Sequence, residues 1–313
     1  MISIVIPVFN SGSAMVRECH AALDGVLGTI AESAEVIYVD DGSSDDSLEA
    51  LKALQRADDR VRVVELAANF GQHAAFSAGF DLVRGDVVVT MDVDLQTDPR
   101  DLPRLIAPLR QGHDFVSGVR TNRRDPLARR MASRVVTWLV ASSTGVRLKD
   151  VGCPFNAFAS DVAKSLSSFG ELRRFLKPLA VRVAKSVAEV EVAHRPRARH
   201  HARTSYSSTR LLRLFMDFFV NSITDVFAWT FAGAVGLGAV LAVLTSAAVI
   251  AWGLGVAGPW PALAGVAGVI TATLIAALGL VGDYVQRIHR QSTGRPYYLV
   301  KRVYETAPRA PVC

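Results

Sequence analysis

The sequence lacks charged side chains and histidine over one long interval, from Val226 to Gly282. The uncharged run Gly258-Pro259-Trp260-Pro261 divides this interval near its middle. Each half is long enough to form the helix of about 20 residues that crosses a bilayer core. The interval therefore predicts two membrane spans, near Phe227–Gly253 and Leu263–Gly282. A buried helical hairpin in a soluble core is the alternative interpretation.

Cysteine is also scarce, with three widely separated residues and no CxxC spacing (Cys19, Cys153 and Cys313). This pattern argues against a disulfide framework and against a cysteine zinc site, and it suits a reducing compartment. Two phosphate-binding signatures are missing as well. No GxGxxG follows the first apolar strand, and GxxxxGK[ST] does not occur. Rossmann dinucleotide binding and P-loop chemistry are therefore disfavoured.

The formal net charge is only +6, but cations cluster on both sides of the uncharged interval. Because cytoplasmic loops are enriched in Lys and Arg, both flanks are predicted to be cytoplasmic, which indicates a multi-pass membrane protein. Cations beside membrane spans favour an anionic membrane or lipid partner over nucleic acid. The cations concerned are Arg195, Arg197, Arg199, Arg203, Arg210 and Arg213 before the interval, and Arg287, Arg290, Arg295, Lys301 and Arg302 after it.

Four parts follow from this pattern. The prediction is a cytoplasmic α/β domain at 1–204, a juxtamembrane amphipathic helix at 205–225, a two-helix transmembrane hairpin at 226–282 and a cytoplasmic tail at 283–313.

The first 120 residues alternate between short apolar runs and segments of helical periodicity. This order predicts a mostly parallel sheet that is covered by helices. Strands are predicted at Ser3–Pro7, Glu35–Val39, Val61–Leu66, Val87–Met91 and Phe115–Val119, with a later one at Val187–Ala193. Helices are predicted at Met15–Ile30, Asp46–Arg56, Gln72–Val83 and Asp101–Arg110.

Two of the predicted strands end in pairs of carboxylates. Asp40 and Asp41 follow the second strand, and Asp92 and Asp94 follow the fourth. The carboxyl ends of parallel strands meet at one edge of a sheet, where ligands bind in open α/β folds. Hard carboxylate oxygens suit Mg²⁺ or Mn²⁺, which holds phosphate oxygens. The pattern predicts a site for a nucleotide diphosphate. A solvated turn for the second pair, and a helix cap for the first, remain the alternatives.

Cations and one further carboxylate follow the fifth strand. Arg120 comes directly after that strand, and Arg123 and Arg129 lie in the basic segment beyond it. Arginine suits phosphates because its guanidinium binds them with two parallel hydrogen bonds. Asp150 opens a turn that runs to Asn156.

These segments together resemble a known family. Ser3–Asn10, Glu35–Asp46, Asn69–Gly79 and Met91–Pro99 resemble the GT-A family 2 glycosyltransferases. The later motifs Gly118–Arg123, Asp150–Cys153 and Thr204–Ser207, followed by two membrane spans, are similar to the polyprenyl-phosphate glycosyltransferases. Within these, the sequence looks most like the bacterial undecaprenyl-phosphate transferases of the aminoarabinose and O-antigen-glucosylation type. The resemblance implies a GT-A catalytic domain at 1–204.

The resemblance also implies roles for individual residues. The nucleoside would contact the first carboxylate pair, the metal would bind the second, and arginines and a tyrosine would hold the phosphates. Two departures from the family pattern, Asn156 and Ser205, each replace a cation. The implied residues are Asp40 and Asp41 for contact with the nucleoside, Pro7 and Asn10 for the shape of its pocket, Asp92 and Asp94 for Mg²⁺ or Mn²⁺ on the nucleotide diphosphate, Gln96 for the sugar, Asp94, Arg120, Arg123 and Asp150 for the reacting centre, and Arg129, Arg203 and Tyr206 for the acceptor phosphate.

The implied reaction is inverting transfer of a sugar from a nucleotide diphosphate, with UDP favoured, to a polyprenyl phosphate such as undecaprenyl phosphate. The product would be a lipid-linked sugar for modification of an envelope glycan or lipid. Alternatives are a mannose synthase that uses GDP-mannose, a processive polysaccharide synthase, and a catalytically inactive membrane-tethered sugar-nucleotide-binding protein. A homo-oligomer, with a tetramer as one form, is the expected assembly.

Overall fold

The structure, a computed structural model, describes residues 1–121, 146, 148–166, 176–194 and 297–306, with isolated positions between 254 and 288. Eight strands in these ranges form one sheet in the order β7-β5-β6-β4-β1-β2-β3-β8. The strands are β1 (Ile2–Val8), β2 (Ala34–Asp40), β3 (Val61–Leu66), β4 (Val87–Thr90), β5 (Phe115–Arg120), β6 (Asn156–Ala159), β7 (Val187–Val192) and β8 (Val300–Tyr304). The helices are α1 (Gly12–Leu27), α2 (Ser47–Ala57), α3 (Gln72–Phe80), α4 (Leu102–Arg110), α5 (Ser160–Leu166) and α6 (Leu176–Val183), with a 3₁₀ turn at Pro99–Asp101.

Helices cover both faces of the sheet, as its strand pattern requires. All seven residues of β1 are buried. Successive strand side chains point to opposite faces, so Ile4 and Ile6 pack with α1, α2 and α4, while Val5 packs with α3, α5 and α6. Strands buried on both faces are near-continuous apolar runs, which explains why they were recognisable in the sequence.

The centre of the sheet is parallel and its flanks are mixed. β1 pairs in parallel with β2 and β4, and β3 adds to β2 in the same direction. β6 runs antiparallel between β4 and β5, and β7 is parallel to β5. The α/β class and the helix-covered sheet agree with prediction, but three of the seven pairings are antiparallel.

Two strands were not predicted. β6 begins at Asn156, the residue at which the predicted turn was to end. β8 comes from the predicted tail and pairs antiparallel with β3. The tail segment Val300–Tyr304 is thus an edge strand of the main sheet. The residues of β8 are exposed or only partly buried. In the sequence they therefore look like an ordinary polar tail, which is why β8 was not predicted.

The chain divides into two units, Met1–Phe218 with Pro296–Cys313, and Phe219–Arg295. Several described positions of the second unit are helical. Within the described residues, no helix combines the length and apolar character needed to span a bilayer. The predicted spans and the predicted helix at 205–225 fall almost wholly outside those residues.

Candidate active site

The two carboxylate pairs lie at one edge of the sheet, on either side of β1. Asp40 is the last residue of β2 and is paired with Val8 in the register of β1 and β2. β4 ends at Thr90, so Asp92 and Asp94 follow it within four residues. Both strands run parallel to β1. The predicted meeting of the two pairs at the same edge is therefore confirmed.

Asp40 is a buried carboxylate with an unused oxygen. Its side chain is 1% exposed. Oδ2 accepts a hydrogen bond from the Ser43 amide at 3.2 Å. Oδ1 is buried and has no hydrogen-bond partner among the described residues. Burial raises the pKa of the Asp40 carboxyl above its ordinary value, against the hydrogen bonds from Ser43. A buried acceptor without a partner is costly, which makes Oδ1 a natural place for a ligand N–H or O–H.

Asp41 has a structural role that was not predicted. Its two oxygens accept the backbone amides of Phe70 at 2.7 Å and Gly71 at 2.8 Å. These bonds fix the turn that starts α3, where Gly71 has a φ of +94°. Burial raises the pKa of Asp41, although the two amides act in the opposite direction. Direct contact between Asp41 and a nucleoside stays a prediction.

The turns around this pair are tightly built. Gly42 has a φ of +70°, and a Cβ there would lie 2.6 Å from the carbonyl carbon of Ala68. Asn10 has a φ of +46°, and its Oδ1 accepts the Ser44 amide at 2.8 Å. Pro7 lies in β1 and is buried. The loops after β1 and β2 are thus joined through Asn10, which suits the pocket-shaping role expected of it and of Pro7.

Each carboxylate of the second pair is held by a glutamine. Gln72 Nε2 donates to Asp92 Oδ1 at 2.5 Å. The backbone amide of Gln96 donates to Asp94 Oδ1 at 3.2 Å, and its side-chain Nε2 donates to Asp94 Oδ2 at 2.7 Å. Leu95, with a φ of +52°, turns the chain so that Gln96 folds back on Asp94. The two carboxylates are neither fully buried nor fully exposed.

The donor set of this turn fits a hard divalent cation. Asp92 and Asp94 offer carboxylate oxygens, the ligand type that Mg²⁺ and Mn²⁺ prefer. Cys19 packs nearby, but burial, reinforced by the charges of Asp94 and Asp92, raises the pKa of its thiol to about 12. A neutral thiol is a poor metal ligand. No group of three or more His, Cys, Asp or Glu side chains in the described part of the chain is placed to hold a metal ion.

Arg120 and Asp150 form an ion pair in which the carboxylate is buried and the guanidinium is partly buried. The guanidinium donates from Nε to Asp150 Oδ2 at 2.7 Å and from Nη2 to Oδ1 at 2.9 Å. Asp150 also accepts the amides of Arg120 at 3.2 Å and Gly152 at 3.0 Å. The Asp150 side chain is 2% exposed and that of Arg120 is 16% exposed. Because β5 and β4 both run antiparallel to β6, Arg120 lies at the same edge as Asp94.

A buried lysine supports this pair and was missed in the sequence. Lys177 Nζ donates to the carbonyl oxygen of Asp150 at 2.6 Å, to Ser117 Oγ at 2.9 Å and to the Gly118 carbonyl at 3.1 Å. The signal that could have revealed it is a single cation in the apolar run Leu176–Val181.

Asn156, one of the two departures from the family pattern, is buried at the start of β6. Its Nδ2 donates to the Cys153 carbonyl at 3.1 Å, and its Oδ1 accepts the Gly118 amide at 3.4 Å. It therefore ties the Asp150 turn to β5. The remaining predicted phosphate ligands, Arg123, Arg129, Arg203 and Tyr206, together with Ser205, lie outside the described residues.

The sequence has clear relatives. Residues 3–160 match the family model described as glycosyl transferase family 2. The undecaprenyl-phosphate 4-deoxy-4-formamido-L-arabinose transferase of Pseudomonas paraeruginosa is 35% identical over 315 residues, covering 99% of this chain and 92% of that protein. A protein of the same name from Edwardsiella ictaluri is 35% identical over 314 residues, with 96% of this chain and 94% of that protein covered.

A solved structure is also similar, at lower identity. It is glucosyl-3-phosphoglycerate synthase from Mycobacterium tuberculosis in complex with Mn²⁺ and UDP-glucose, with a TM-score of 0.48 and 18% identity over 72% of this chain and 80% of that one. The family match and the full-length relatives establish the membership. The chain belongs to glycosyl transferase family 2, and the undecaprenyl-phosphate sugar transferases are its relatives.

Proposed function

We propose that this protein transfers a sugar from a UDP-sugar to undecaprenyl phosphate, with inversion at the anomeric carbon. One observation carries the proposal. Asp40, the Asp92–Asp94 turn and the Arg120–Asp150 pair lie at one edge of the sheet, in a chain whose full-length relatives are named as undecaprenyl-phosphate transferases. The product is a lipid-linked sugar for modification of an envelope glycan or lipid.

Donor binding is assigned to the loops after β1, β2 and β4. The unused Oδ1 of Asp40 accepts an N–H or O–H of the nucleoside, in the pocket shaped by Pro7 and Asn10. Asp92 and Asp94 hold Mg²⁺ or Mn²⁺, and Gln96 borders the sugar. When bound, the cation supplies charge neutralisation for the departing diphosphate.

The reaction needs no strong base. An oxygen of the acceptor phosphate forms a bond to the anomeric carbon, and the bond from that carbon to the nucleotide diphosphate breaks on the opposite face. The acceptor phosphate is already largely ionised near pH 7, since the second pKa of such groups is about 6. Asp150 acts as an orienting group, because its carboxylate already accepts Arg120 and two backbone amides.

Phosphate binding is assigned to the arginines. Arg120, fixed by Asp150, presents its positive charge at the same sheet edge as the carboxylate pairs. We assign Arg123 to the reacting centre, and Arg129, Arg203 and Tyr206 to the acceptor phosphate. Arginine is the residue best matched to phosphate geometry. Asp41 supports the nucleoside pocket through the turn at Phe70 and Gly71.

The uncharged interval anchors the enzyme in the inner membrane as a two-span hairpin. β3 precedes the interval and β8 follows it, yet both strands lie in one sheet. This pairing supports a topology in which both flanks lie on the same side of the membrane, after an even number of crossings. The flanking cations support a cytoplasmic location for that side. A homo-oligomer, such as a tetramer, is the proposed assembly.

Acceptor-dependent release of nucleotide tests this function. The purified full-length protein, with Mn²⁺, is given UDP-sugars and GDP-mannose, with and without undecaprenyl phosphate. We expect UDP release from one donor to depend on the lipid. Release from GDP-mannose alone would identify the mannose synthase alternative, and nucleotide binding without release would favour the inactive binding protein.

A further inference from the structure

Lys177 is a buried cation that the proposed reaction does not use. This residue is 4% exposed and lies among the apolar residues of α6. Burial of an ammonium group is costly unless it is well bonded. Helix formation and apolar packing therefore do not account for a lysine at this position.

The contacts of Lys177 join two segments of the site. Ser117 Oγ and the Gly118 carbonyl lie in β5, shortly before Arg120, and the third acceptor is the carbonyl oxygen of Asp150. An ammonium group has three protons to donate. All three are thus used to connect the end of β5 with the turn that carries Asp150.

Lys177 loses its proton more readily than an ordinary lysine. Burial is the largest influence and lowers the pKa of Lys177 to about 8, and the charge of Arg120 acts in the same direction. Asp150 and Glu189 raise it, and Cys153 would raise it only as a thiolate. Burial raises the pKa of the Cys153 thiol, which keeps it neutral near pH 7.

We infer that Lys177 is a positioning residue whose ammonium group fixes the Arg120–Asp150 pair for the reacting phosphates. The inference rests on the proposed function. Loss of one proton leaves two donors for three oxygen acceptors, so one oxygen then faces a lone pair. The connection between β5 and the Asp150 turn loosens, and turnover falls although the donor still binds.

Turnover as a function of pH gives the first test. We expect kcat of the wild type to fall above about pH 8, with little change in KM for the donor. Lys177→Met should lower kcat at least tenfold at pH 7. Lys177→Arg, which keeps its charge to higher pH, should restore part of kcat and move the alkaline fall upward. Exposed Lys185→Met is the matched control and should behave as the wild type.

Two results would overturn the inference. One is a kcat of Lys177→Met within twofold of the wild type. The other is an alkaline fall at the same pH in the wild type and in Lys177→Arg. A residue with a merely structural role would change the amount of folded protein without moving the pH profile.

A second test does not depend on the reaction. Unfolding constants of the full-length protein in detergent are measured for Lys177→Met, Arg120→Gln and the double variant. Coupled residues should depart from additivity on the order of tenfold, and additive effects would contradict the inference. Ser117→Ala, which removes one acceptor of Lys177, replaces Lys177→Met if that variant does not fold. If Lys177 and Arg120 are coupled but the protein shows no turnover, the proposed function is refuted and the inference about Lys177 is not.

Discussion

Gln72 Nε2 lies 2.5 Å from Asp92 Oδ1, which connects the two carboxylate pairs of the site. Gln72 is the first residue of α3, and the turn before it is fixed by the carboxylate of Asp41. A chain of bonds therefore runs from Asp41 through the start of α3 to Asp92. The proposed nucleoside side and the proposed metal side of the site are thus connected through these bonds.

Gln72→Ala should weaken Mn²⁺ binding about tenfold, since residues that orient a metal ligand typically contribute that much. Isothermal titration of Mn²⁺ in the presence of UDP measures the effect. Exposed Gln111→Ala, at the end of α4, is the matched control. Equal affinities for the two variants would show that Gln72 does not orient Asp92.

Asp40→Asn and Asp41→Asn should change stability in opposite directions. Asp40→Asn removes a buried charge with an unused oxygen and should stabilise the fold by about 1 kcal/mol. Asp41→Asn places an NH₂ group against the amide of Phe70 or Gly71 and should cost about 2 kcal/mol. Urea unfolding at pH 7 measures both. A change in the free energy of unfolding with the same sign in both variants would contradict the contacts described for Asp40 and Asp41.

The pH dependence follows from the pKa of Asp40. Because burial raises this pKa above 3.8, the folded state binds more protons than the unfolded state just above that value. Stability of the wild type relative to Asp40→Asn should therefore fall as the pH rises from 3.8 through the raised pKa, and stay constant above it. Urea unfolding of both proteins from pH 4 to pH 8 checks the sign. A flat difference would mean that Asp40 is not desolvated.

Arg120 and Asp150 should behave as one unit. Arg120→Gln leaves the buried Asp150 carboxylate without its partner and should cost about 3 kcal/mol of stability. Asp150→Asn leaves the partly buried Arg120 guanidinium without its partner and should also be destabilising. The double variant should cost clearly less than the sum of the two. A double-mutant cycle by urea unfolding measures the coupling. Independent, additive losses would mean that the bidentate pair is not formed in solution.

The tail should be required for a stable catalytic domain. Lys301 and Tyr304 of β8 both bond to Glu65, and Glu305 accepts Arg62 at 2.9 Å. Deletion of 226–313 should therefore lower the melting temperature well below that of a protein in which a flexible linker replaces only 226–295. Differential scanning fluorimetry compares the two. Equal melting temperatures would show that β8 contributes little.

The elements that depend on local sequence patterns were predicted well. The strand that ends at Asp40 and the turn with Asp92 and Asp94 were recognisable because buried runs and acidic endings are local features. Their common edge then follows from the parallel direction of β2 and β4.

The parts that were missed depend on contacts distant in the chain. β8 pairs with β3 across more than 230 residues, and no periodicity reveals its partner. The structural role of Asp41 was not visible in the sequence, because its oxygens accept the backbone amides of Phe70 and Gly71, about 30 residues further on. Lys177 was overlooked because the acceptors of its Nζ come from β5 and the Asp150 turn.

Detection of the lipid product tests the central claim most directly. Full-length protein in detergent is incubated with undecaprenyl phosphate, Mn²⁺ and a panel of UDP-sugars, and the lipid fraction is analysed by mass spectrometry, with Asp94→Asn in parallel. The account predicts undecaprenyl phosphate that carries one sugar from a single donor, and no such product from Asp94→Asn. Unchanged lipid with every donor, from a folded protein that binds UDP and Mn²⁺, would contradict it.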